Sequence, residues 1–203
     1  MPAEIKRTGM LLIISGPSGT GKGTLVKKLT DLDPSFRFSC SVTTRGPREG
    51  EIEGVHYYFV TEERYDELVA QNAFLEHATV HGHRYGTLRQ PVEELMEQGY
   101  NVVLDIDPQG AISVMENASK YVSVFILPPS FDELRVRLHT RNTDDPVEIE
   151  RRLNNARGEV QKLNRYQYAV INDNLELAFA QLQAIVNAEK QRTCRFHPTI
   201  FDT

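Results

Sequence analysis

The chain has 203 residues and a net charge of -5, with 40% hydrophobic and 25% charged residues. This composition is that of a globular protein and excludes disordered and fibrous classes, while the length fits one compact domain or a core that carries an insert. The acidic balance, the absence of apolar runs near the roughly 20 residues of a membrane helix and the lack of a signal-peptide pattern lead us to expect a cytoplasmic protein without nucleic-acid or membrane partners.

The first half of the chain contains an apolar run over residues 9–15, which has the length and continuity of a strand buried on both faces. A glycine-rich turn follows it. The next helix is predicted from apolar residues at helical spacing, which are Leu25, Val26, Leu29 and Leu32. Residues 100–105 and 121–127 are two further buried strands by the same criterion. Because strands and helices alternate, the pattern indicates an α/β fold.

In the second half, Ser130 and Glu133 have the spacing of a capping box. They open a predicted helix with Phe131, Leu134 and Leu138 on one face. Another helix is predicted to begin at Pro146, with Asp145 as N-cap and Glu148 in its first turn. Its apolar positions are Ile149, Leu153, Ala156, Val160 and Leu163. A short strand over residues 169–171 and a C-terminal helix follow, and the apolar face of that helix is formed by Leu175, Ala178, Phe179, Leu182, Ile185 and Val186.

Residues 39–89 have a different pattern from the rest of the chain. Turn residues are frequent between positions 46 and 54, a strand-like run covers residues 55–60, and a short helix is expected after Thr61. We therefore predict a core formed by residues 1–38 and 90–203, and a small insert of strands plus a helix formed by residues 39–89. The pattern does not determine the order of the strands in the insert.

The clearest local signal is the glycine-rich turn, which has the P-loop spacing of glycine, four residues and Gly-Lys between a strand and a helix. Its residues are Gly16, Pro17, Ser18, Gly19, Thr20, Gly21, Lys22, Gly23 and Thr24. Glycines allow the backbone to curl so that N–H groups point at phosphate oxygens, and the N-terminus of the helix adds partial positive charge. Lys22 supplies a mobile charge for the terminal phosphates. The turn predicts a nucleoside triphosphate site, but it does not by itself define the reaction.

One position departs from the usual P-loop. The residue after the lysine is commonly Ser or Thr, whose hydroxyl contacts Mg²⁺, but here it is Gly23, and Thr24 comes next. Either Thr24 reaches the metal, or water and an acidic group hold it. Asp105, at the end of an apolar strand, is the natural candidate for that acidic group.

A second motif begins at Ser41 and reads Ser-Val-Thr-Thr-Arg-Gly-Pro-Arg-Glu-Gly-Glu, followed by Gly54, Tyr57, Phe59 and Val60. It closely resembles the GMP-binding signature of guanylate kinases. The resemblance covers residues 9–190 in the order and spacing of that family, and it continues through Phe74-Leu75-Glu76, Tyr85-Gly86-Thr87, Asp105-Ile106-Asp107-Pro108-Gln109-Gly110 and Phe125-Ile126-Leu127-Pro128-Pro129-Ser130. It implies a P-loop nucleoside-monophosphate-kinase-like core with a parallel sheet, a small α+β GMP-binding insert and a helical lid.

The resemblance also assigns roles to residues of the insert. It implies that the GMP phosphate is held by Arg45, Arg48, Tyr57 and Tyr85. It implies that the guanine is read by Ser41, Glu76, Thr87 and Asp107. The chemistry is independently reasonable, because guanine presents two adjacent donors that one carboxylate can accept, whereas adenine would leave buried acceptors unpaired.

The family further implies an enzyme that uses ATP with Mg²⁺ and a lid at about residues 137–152. Its implied catalytic residues are Lys22, Arg45, Arg137, Arg141 and Arg152. Phosphoryl transfer depends on alignment and charge neutralisation, so we expect no covalent intermediate and no dedicated general base. The lid departs from the family, which commonly has Gly-Arg-Gly-Thr where this chain has Thr-Arg-Asn-Thr at positions 140–143.

Two other functions stay open at this point. A non-catalytic guanylate-kinase-like module of a scaffold protein would typically have a degraded phosphate loop, whereas Lys22 is present here. A P-loop kinase for another small substrate is suggested by the Gly-Lys-Gly-Thr ending of the loop, which is similar to that of adenylate kinases. A panel of phosphate acceptors would separate these possibilities. The oligomeric state is not determined by the sequence.

Overall fold

The computed structural model describes residues 6–80, 82–140 and 146–197. The strands are β1 (Lys6–Arg7), β2 (Leu11–Ser15), β3 (Phe36–Phe38), β4 (Ser41–Thr43), β5 (Tyr57–Phe59), β6 (Phe74–Val80), β7 (His83–Leu88), β8 (Asn101–Asp105), β9 (Val122–Leu127), β10 (Tyr168–Ile171) and β11 (Phe196–His197). The helices are α1 (Lys22–Leu32), α2 (Glu62–Ala70), α3 (Arg89–Glu97), α4 (Pro108–Asn117), α5 (Phe131–Thr140), α6 (Pro146–Val160) and α7 (Leu175–Lys190). Single 3₁₀ turns cover Leu163–Arg165 and Thr193–Arg195.

The core is a five-stranded sheet in the order β10-β9-β2-β8-β3, in which every neighbouring pair is parallel. Alternate residues of β2 pack on opposite faces. Leu12 and Ile14 join a cluster with apolar side chains of α1 and α7. Leu11 and Ile13 join a second cluster with side chains of α3 and α4. Coverage on both faces explains why these strands are continuous apolar runs, and it confirms the predicted α/β fold with a parallel sheet.

A second sheet of four strands has the order β5-β4-β7-β6 and is mixed, with a parallel β4-β5 pair and antiparallel β4-β7 and β6-β7 pairs. It has its own small core under α2, formed by Val42, Tyr65, Leu68 and Phe74. Leu75 of β6 does not belong to this small core. It packs into the cluster of the core sheet beside α4, and its carbonyl accepts a 3.2 Å hydrogen bond from Asn117. All four strands lie between residues 41 and 88, while the predicted boundaries of the insert at 39 and 89 stay a prediction.

Helices α5 and α6 pack on each other through a separate apolar cluster, which comprises Leu134, Leu138, Ile149, Leu153 and Ala156. The Ser130 half of the predicted capping box is confirmed, because Ser130 Oγ accepts a 3.0 Å hydrogen bond from the Glu133 N–H. The Glu133 carboxylate accepts instead from Arg137 Nε at 2.9 Å. The predicted N-cap Asp145 and the lid residue Arg141 lie outside the described residues.

Several predicted boundaries were wrong. The first strand begins at Leu11 rather than residue 9, since the Gly9 N–H is bonded to Met96 O at 2.8 Å. Leu32 is 61% exposed because it ends α1 beyond the packed turns. The strand predicted over residues 55–60 is only Tyr57–Phe59; Val55 is 65% exposed in a turn closed by its N–H bond to Ile52 O. Helix α6 ends at Val160, and Leu163 begins a 3₁₀ turn.

The parallel arrangement decides where polar groups collect. The carboxyl ends of all five core strands lie at one edge of the sheet, which is where open α/β sheets bind ligands. The glycine-rich turn follows β2, Asp105 ends β8, and Asn172 follows β10 at this edge. The chain leaves β3 at the same edge to form the second sheet. Among the described residues, no helix combines the length and apolar character required to cross a membrane.

Candidate active site

The phosphate loop curls between β2 and α1 as the glycine spacing predicted. Gly16 has φ 139° and Gly21 has φ 85°, conformations that L side chains rarely adopt. Lys22 Nζ lies inside the loop, donating to Gly16 O at 2.6 Å and to Pro17 O at 3.1 Å. Gly21 is the N-cap of α1 and has no side chain to cap the helix, so the first N–H groups of α1 face the loop as an anion site.

Packing holds this loop tightly from outside. A Cβ at Gly16 would lie 2.2 Å from Ile126 O, and one at Gly19 would lie 3.0 Å from side-chain atoms of Leu134 and Leu138 on α5. Thr20 is fully buried, and its hydroxyl donates to Pro17 O at 2.9 Å. The Thr20 side chain therefore stabilises the loop from within.

Asp105 lies above the glycine that replaces the usual P-loop hydroxyl. A Cβ at Gly23 would be 3.5 Å from Asp105 Oδ2, so the carboxylate faces the space next to that position. Removal of water by the surrounding protein raises the pKa of Asp105, and the charge of Lys22 opposes that rise. Thr24 is exposed on the first turn of α1. Among the described residues, no group of three or more His, Cys, Asp or Glu could form a complete metal cage.

The two predicted guanine-reading carboxylates approach each other over the start of α4. A Cβ at Gly110 would lie 3.1 Å from Asp107 Oδ1 and 3.5 Å from Glu76 Oε2. Asp107 is also the N-cap of α4, and it accepts 3.2 Å hydrogen bonds from the Gln109 and Gly110 N–H groups. Thr87 Oγ1 donates to Glu76 Oε1 at 2.7 Å. The structure thus brings Glu76, Thr87 and Asp107 close together at the junction of the two sheets.

Burial raises the pKa of Glu76, the Thr87 hydrogen bond partly offsets that effect, and the charge of Asp107 adds to the rise. Such perturbed carboxylates are concentrated at functional sites. An ionised, desolvated carboxylate with an unused oxygen is suited to accept a pair of N–H donors from a ligand.

The predicted phosphate-binding residues form a second cluster around Arg45. This arginine is 9% exposed, and its guanidinium lies 5.5 Å from the centre of the Tyr57 ring, which is 6.0 Å from the ring of Tyr85. Glu51 Oε1 accepts from Arg45 Nη2 at 2.8 Å, while Oε2 accepts from the Arg48 N–H at 2.7 Å. The bond to Glu51 raises the pKa of Arg45, and the bonds from Arg45 and the Arg48 N–H lower the pKa of Glu51 to about 2. A fixed cation beside two phenol rings is a chemically suitable phosphate site.

Two other predicted residues are placed by the same strands. Ser41 begins β4 and pairs with Tyr57 of β5, whereas Tyr85 of β7 pairs with Thr43 of β4. The Tyr65 hydroxyl donates to Tyr85 O at 2.7 Å and so supports that strand from the small core. Arg48 is exposed in the turn after β4, so its side chain is not fixed in the way that Arg45 is.

The predicted lid arginines lie on the α5-α6 pair. Arg137 donates to Glu133 at 2.9 Å and to Asn172 O at 2.8 Å, which places it beside the loop after β10. Arg152 donates to Glu148 at 3.3 Å. The predicted Arg141 lies outside the described residues.

Four residues that belong to this region were not predicted as site residues. Glu51 and Gly110 stand inside the motifs that carry the family resemblance, and Asn172 is a polar residue directly after a strand, so each had a local signal. Glu159 had none. Its pKa is raised by burial and by the charge of Asp107 and lowered by the charge of Lys22, so the Glu159 carboxyl lies within electrostatic range of both residues.

Comparison with known proteins resolves what this arrangement belongs to. The family model described as guanylate kinase matches residues 8–189. The chain belongs to the guanylate kinase family. Guanylate kinases of Clostridium perfringens and Syntrophotalea carbinolica are 44% and 47% identical to it over 195 and 191 residues. These alignments cover 96% and 94% of this chain and 90% and 91% of the relatives.

A solved structure agrees with the sequence relatives. The crystal structure of guanylate kinase from Anaplasma phagocytophilum is 34% identical, with a TM-score of 0.72, and the match covers 98% of this chain and 94% of that one. The sequence prediction of a guanylate kinase with a P-loop α/β fold is therefore confirmed. The roles of individual residues stay predictions.

Proposed function

We propose that this chain transfers the γ-phosphoryl group of ATP to the phosphate of GMP, giving ADP and GDP, through the residues assembled at the carboxyl edge of the core sheet. The observation that carries the proposal is the meeting of Glu76 and Asp107 at Gly110, beside the Arg45 cluster. It supports a pocket that reads guanine at one end and holds a phosphate at the other. A site built to pair both guanine donors discriminates against adenine by about 10⁴-fold or more.

The acceptor needs little activation in this scheme. An oxygen of the GMP phosphate attacks the γ-phosphorus, the bond from that phosphorus to the β,γ-bridging oxygen breaks, and ADP leaves with its electron pair. A phosphate monoester has its second pKa at about 6 and is largely dianionic at neutral pH, so no general base is required. Arg45, Arg48, Tyr57 and Tyr85 hold the acceptor, and Ser41, Glu76, Thr87 and Asp107 orient its base.

The donor side is assigned to the phosphate loop, residues 16–24. Its uncapped N–H groups and Lys22 bind the ATP phosphates, while Arg137, Arg141 and Arg152 of the lid approach the transferring group. These cations neutralise charge that spreads over the phosphoryl oxygens during transfer. Closure of the α5-α6 pair over the cleft would exclude water from ATP until the acceptor is bound.

Mg²⁺ fits this donor set. Proteins generally hold it through one or two carboxylates together with substrate phosphates and water, and Asp105 above Gly23 supplies one such carboxylate. We assign Asp105, with Thr24 as the hydroxyl nearest in sequence, to the metal shell. When bound with ATP, the ion would neutralise charge on the ATP phosphates. The cytoplasmic location stays a prediction.

Phosphoryl transfer from Mg-ATP to GMP, dGMP, AMP, CMP and UMP tests the proposal by following ADP formation. We expect rapid turnover with GMP and almost none with AMP. Lys22→Ala should abolish turnover, whereas Lys27→Ala, an exposed lysine of the same helix that pairs with Asp31, should retain it. Preference for AMP would overturn the roles of Glu76 and Thr87. GMP binding without transfer to any acceptor would instead favour a non-catalytic binding module.

The metal assignment has its own test. Asp105→Asn should raise the Mg²⁺ concentration needed for half-maximal turnover by about 10-fold, in the range typical for loss of a metal-shell group. Asp31→Asn, on the exposed face of α1, is the matched control and should leave that concentration unchanged. An unaltered Mg²⁺ dependence in Asp105→Asn would remove Asp105 from the metal shell.

A further inference from the structure

We propose that Asn172 is a positioning residue for the phosphate loop, whose side-chain amide sets the direction of the Thr20–Gly21 peptide group. Asn172 directly follows β10 and is only 5% exposed. Its Nδ2 donates a 2.8 Å hydrogen bond to Thr20 O, which is 152 residues away in the sequence. This buried amide does more than fill space. Without its hydrogen bond, the carbonyl of Thr20 would lose this partner in the interior of the protein, which is costly.

The backbone of Asn172 is anchored on both sides. Its N–H donates to Leu127 O at the end of β9 at 2.8 Å, and its carbonyl accepts from Arg137 of α5 at 2.8 Å. The side chain therefore projects from a point fixed to the core sheet and to the base of the lid. A hydrogen bond from a fixed donor restricts the loop, whereas one from a mobile surface group would not.

The fit between Asn172 and Gly21 is close. A Cβ at Gly21 would lie 2.5 Å from Asn172 Nδ2, so the amide occupies the space that any side chain at position 21 would need. Gly21 also has φ 85°. The glycine of the P-loop motif is thus required here both by backbone conformation and by the residue that packs against it.

This contact bears on phosphate binding through peptide geometry. The C=O and N–H of one trans peptide point in opposite directions. With Thr20 O held toward Asn172, the Gly21 N–H is directed away from it, and the hydrogen bond polarises that N–H as a donor. Asn172 therefore acts through the loop backbone and needs no contact with the phosphates to strengthen their binding.

An aspartate at this position is the sharpest probe. Asn172→Asp keeps the shape of the side chain but sets an anion against Thr20 O, so the peptide loses its support and is repelled. Protonation of the new carboxyl would restore a donor. Consequently the loss of phosphate affinity in Asn172→Asp, relative to the wild-type protein at each pH, should diminish as pH falls from 8 to 5.5. Asn172→Ala lacks this rescue, and its defect should be independent of pH.

The inference rests on ATP being the donor, so the test measures binding and does not depend on turnover. Calorimetry should show that Asn172→Asp weakens Mg-ATP and tripolyphosphate to a similar degree, by about 10-fold or more. The affinity for adenosine, obtained by competition with ATP after allowing for the weaker ATP binding of the variant, and the affinity for GMP should each stay within a factor of about two. Asn164→Asp, in the exposed 3₁₀ turn, is the matched control for added charge.

The outcomes separate clearly. Equal weakening of adenosine and tripolyphosphate would place the role of Asn172 at the nucleoside and overturn the proposal. Unchanged tripolyphosphate binding in both Asn172→Asp and Asn172→Ala would also overturn it. Thermal unfolding identifies a variant that fails to fold. If Asn172→Asp does not fold, Asn172→Ala decides the question, because the proposal requires that its affinity for tripolyphosphate falls while its affinity for GMP does not.

Discussion

Thr87 Oγ1 and Glu76 Oε1 are joined by a 2.7 Å hydrogen bond between direct partners on β7 and β6. The register of the two strands shifts between Phe74 and Glu76, an irregularity that re-aims side chains. Leu75 points into the core and Glu76 toward Gly110. The hydrogen bond then fixes one oxygen of the carboxylate and leaves the other facing the pocket. The pairing of two strands thus builds the part of the site that we propose for guanine recognition.

The first prediction concerns the pH dependence of GMP use. The Thr87 hydrogen bond lowers the pKa of Glu76 against a rise caused by burial and by Asp107. Thr87→Val removes the lowering contribution, so the pKa of Glu76 rises further and the carboxylate is protonated at a higher pH. Since we propose that the ionised form accepts the guanine donors, kcat/KM for GMP should fall at a higher pH as the solution is acidified.

The measurement is the ratio of kcat/KM for Thr87→Val to that of the wild-type protein between pH 8 and pH 5. Loss of a contact to guanine would lower this ratio equally at every pH, whereas the proposed coupling makes it decline with acid. Because both proteins use the same GMP phosphate, its own titration cancels. A ratio that does not change with pH would contradict the coupling.

A second prediction sets function against stability at Glu76. The pKa of this group is raised in the folded protein, so folding favours its protonated form and the ionised form is unfavourable at neutral pH. Glu76→Gln removes the charge and should increase the free energy of unfolding at pH 7.5. That gain should shrink as pH falls through the folded-state pKa, where wild-type Glu76 becomes neutral as well.

Activity should move in the opposite direction. A glutamine offers one acceptor oxygen and turns its amide NH₂ group toward the second guanine donor, so kcat/KM for GMP should fall by about 100-fold or more. Urea unfolding at pH 7.5 and pH 5 measures the stability. Glu67→Gln, exposed on α2, is the control and should change stability by less than about 0.5 kcal/mol. Destabilisation by Glu76→Gln at pH 7.5 would mean that the ionised carboxylate stabilises the fold.

What the sequence could predict follows from the range over which each signal acts. The phosphate loop is local: strand, glycines, lysine and helix are contiguous, so their spacing carries the geometry. The buried strands were recognisable because both faces of the sheet are covered. The predicted guanine and phosphate residues came from the family resemblance, and the structure brings Glu76, Thr87 and Asp107 together as well as Arg45, Tyr57 and Tyr85.

The remaining features depend on tertiary packing. Asn172 contacts Thr20 only because β10 and β2 are both neighbours of β9. Leu32 is exposed because the packed part of α1 ends at Leu29, which the helical spacing does not reveal. Val55 fits a strand pattern, but its backbone N–H donates to Ile52 O in a turn and so does not pair with a neighbouring strand. The pKa of Glu159 responds to Lys22 and Asp107, residues far from it in the sequence, and no spacing of residues reveals that proximity.

A third prediction uses the missing side chain at Gly110. An added Cβ would lie 3.1 Å from Asp107 Oδ1 and 3.5 Å from Glu76 Oε2, within the pocket proposed for guanine. Gly110→Ala should therefore raise KM for GMP by about 10-fold, since misplacement of binding groups by an ångström has effects of this size or larger. KM for ATP should remain unchanged because the phosphate loop is not touched.

A matched glycine is available on α6. Gly158 is also helical, and an added Cβ there meets nothing within 4 Å. Gly158→Ala should stabilise the protein by up to about 1 kcal/mol through helix propensity alone and leave both KM values unchanged. Steady-state kinetics and urea unfolding of the two variants make the comparison. If Gly110→Ala leaves KM for GMP unchanged, the pocket at Gly110 is not where guanine binds.

The last prediction concerns Glu51, which orients the acceptor-phosphate site without being proposed to touch the phosphate. One oxygen holds Arg45 at 2.8 Å and the other holds the Arg48 N–H at 2.7 Å. Removing an anion next to a phosphate site would by itself strengthen phosphate binding. We expect the loss of orientation to dominate, because Arg45 is nearly buried and the turn that carries Arg48 is closed by the same carboxylate.

Glu51→Ala should therefore raise KM for GMP by about 10-fold or more, a typical cost of breaking a hydrogen-bonded charge pair that is shielded from water, with KM for ATP unchanged. The pKa of Glu51 is lowered to about 2 by Arg45 and the Arg48 N–H, so the wild-type group stays ionised and the defect should be constant between pH 5 and pH 8. Glu51→Gln keeps one acceptor and should show an intermediate KM, while Glu49→Ala, an exposed neighbour, should show none of the effect. A lower KM for GMP in Glu51→Ala would show that charge outweighs orientation at this site.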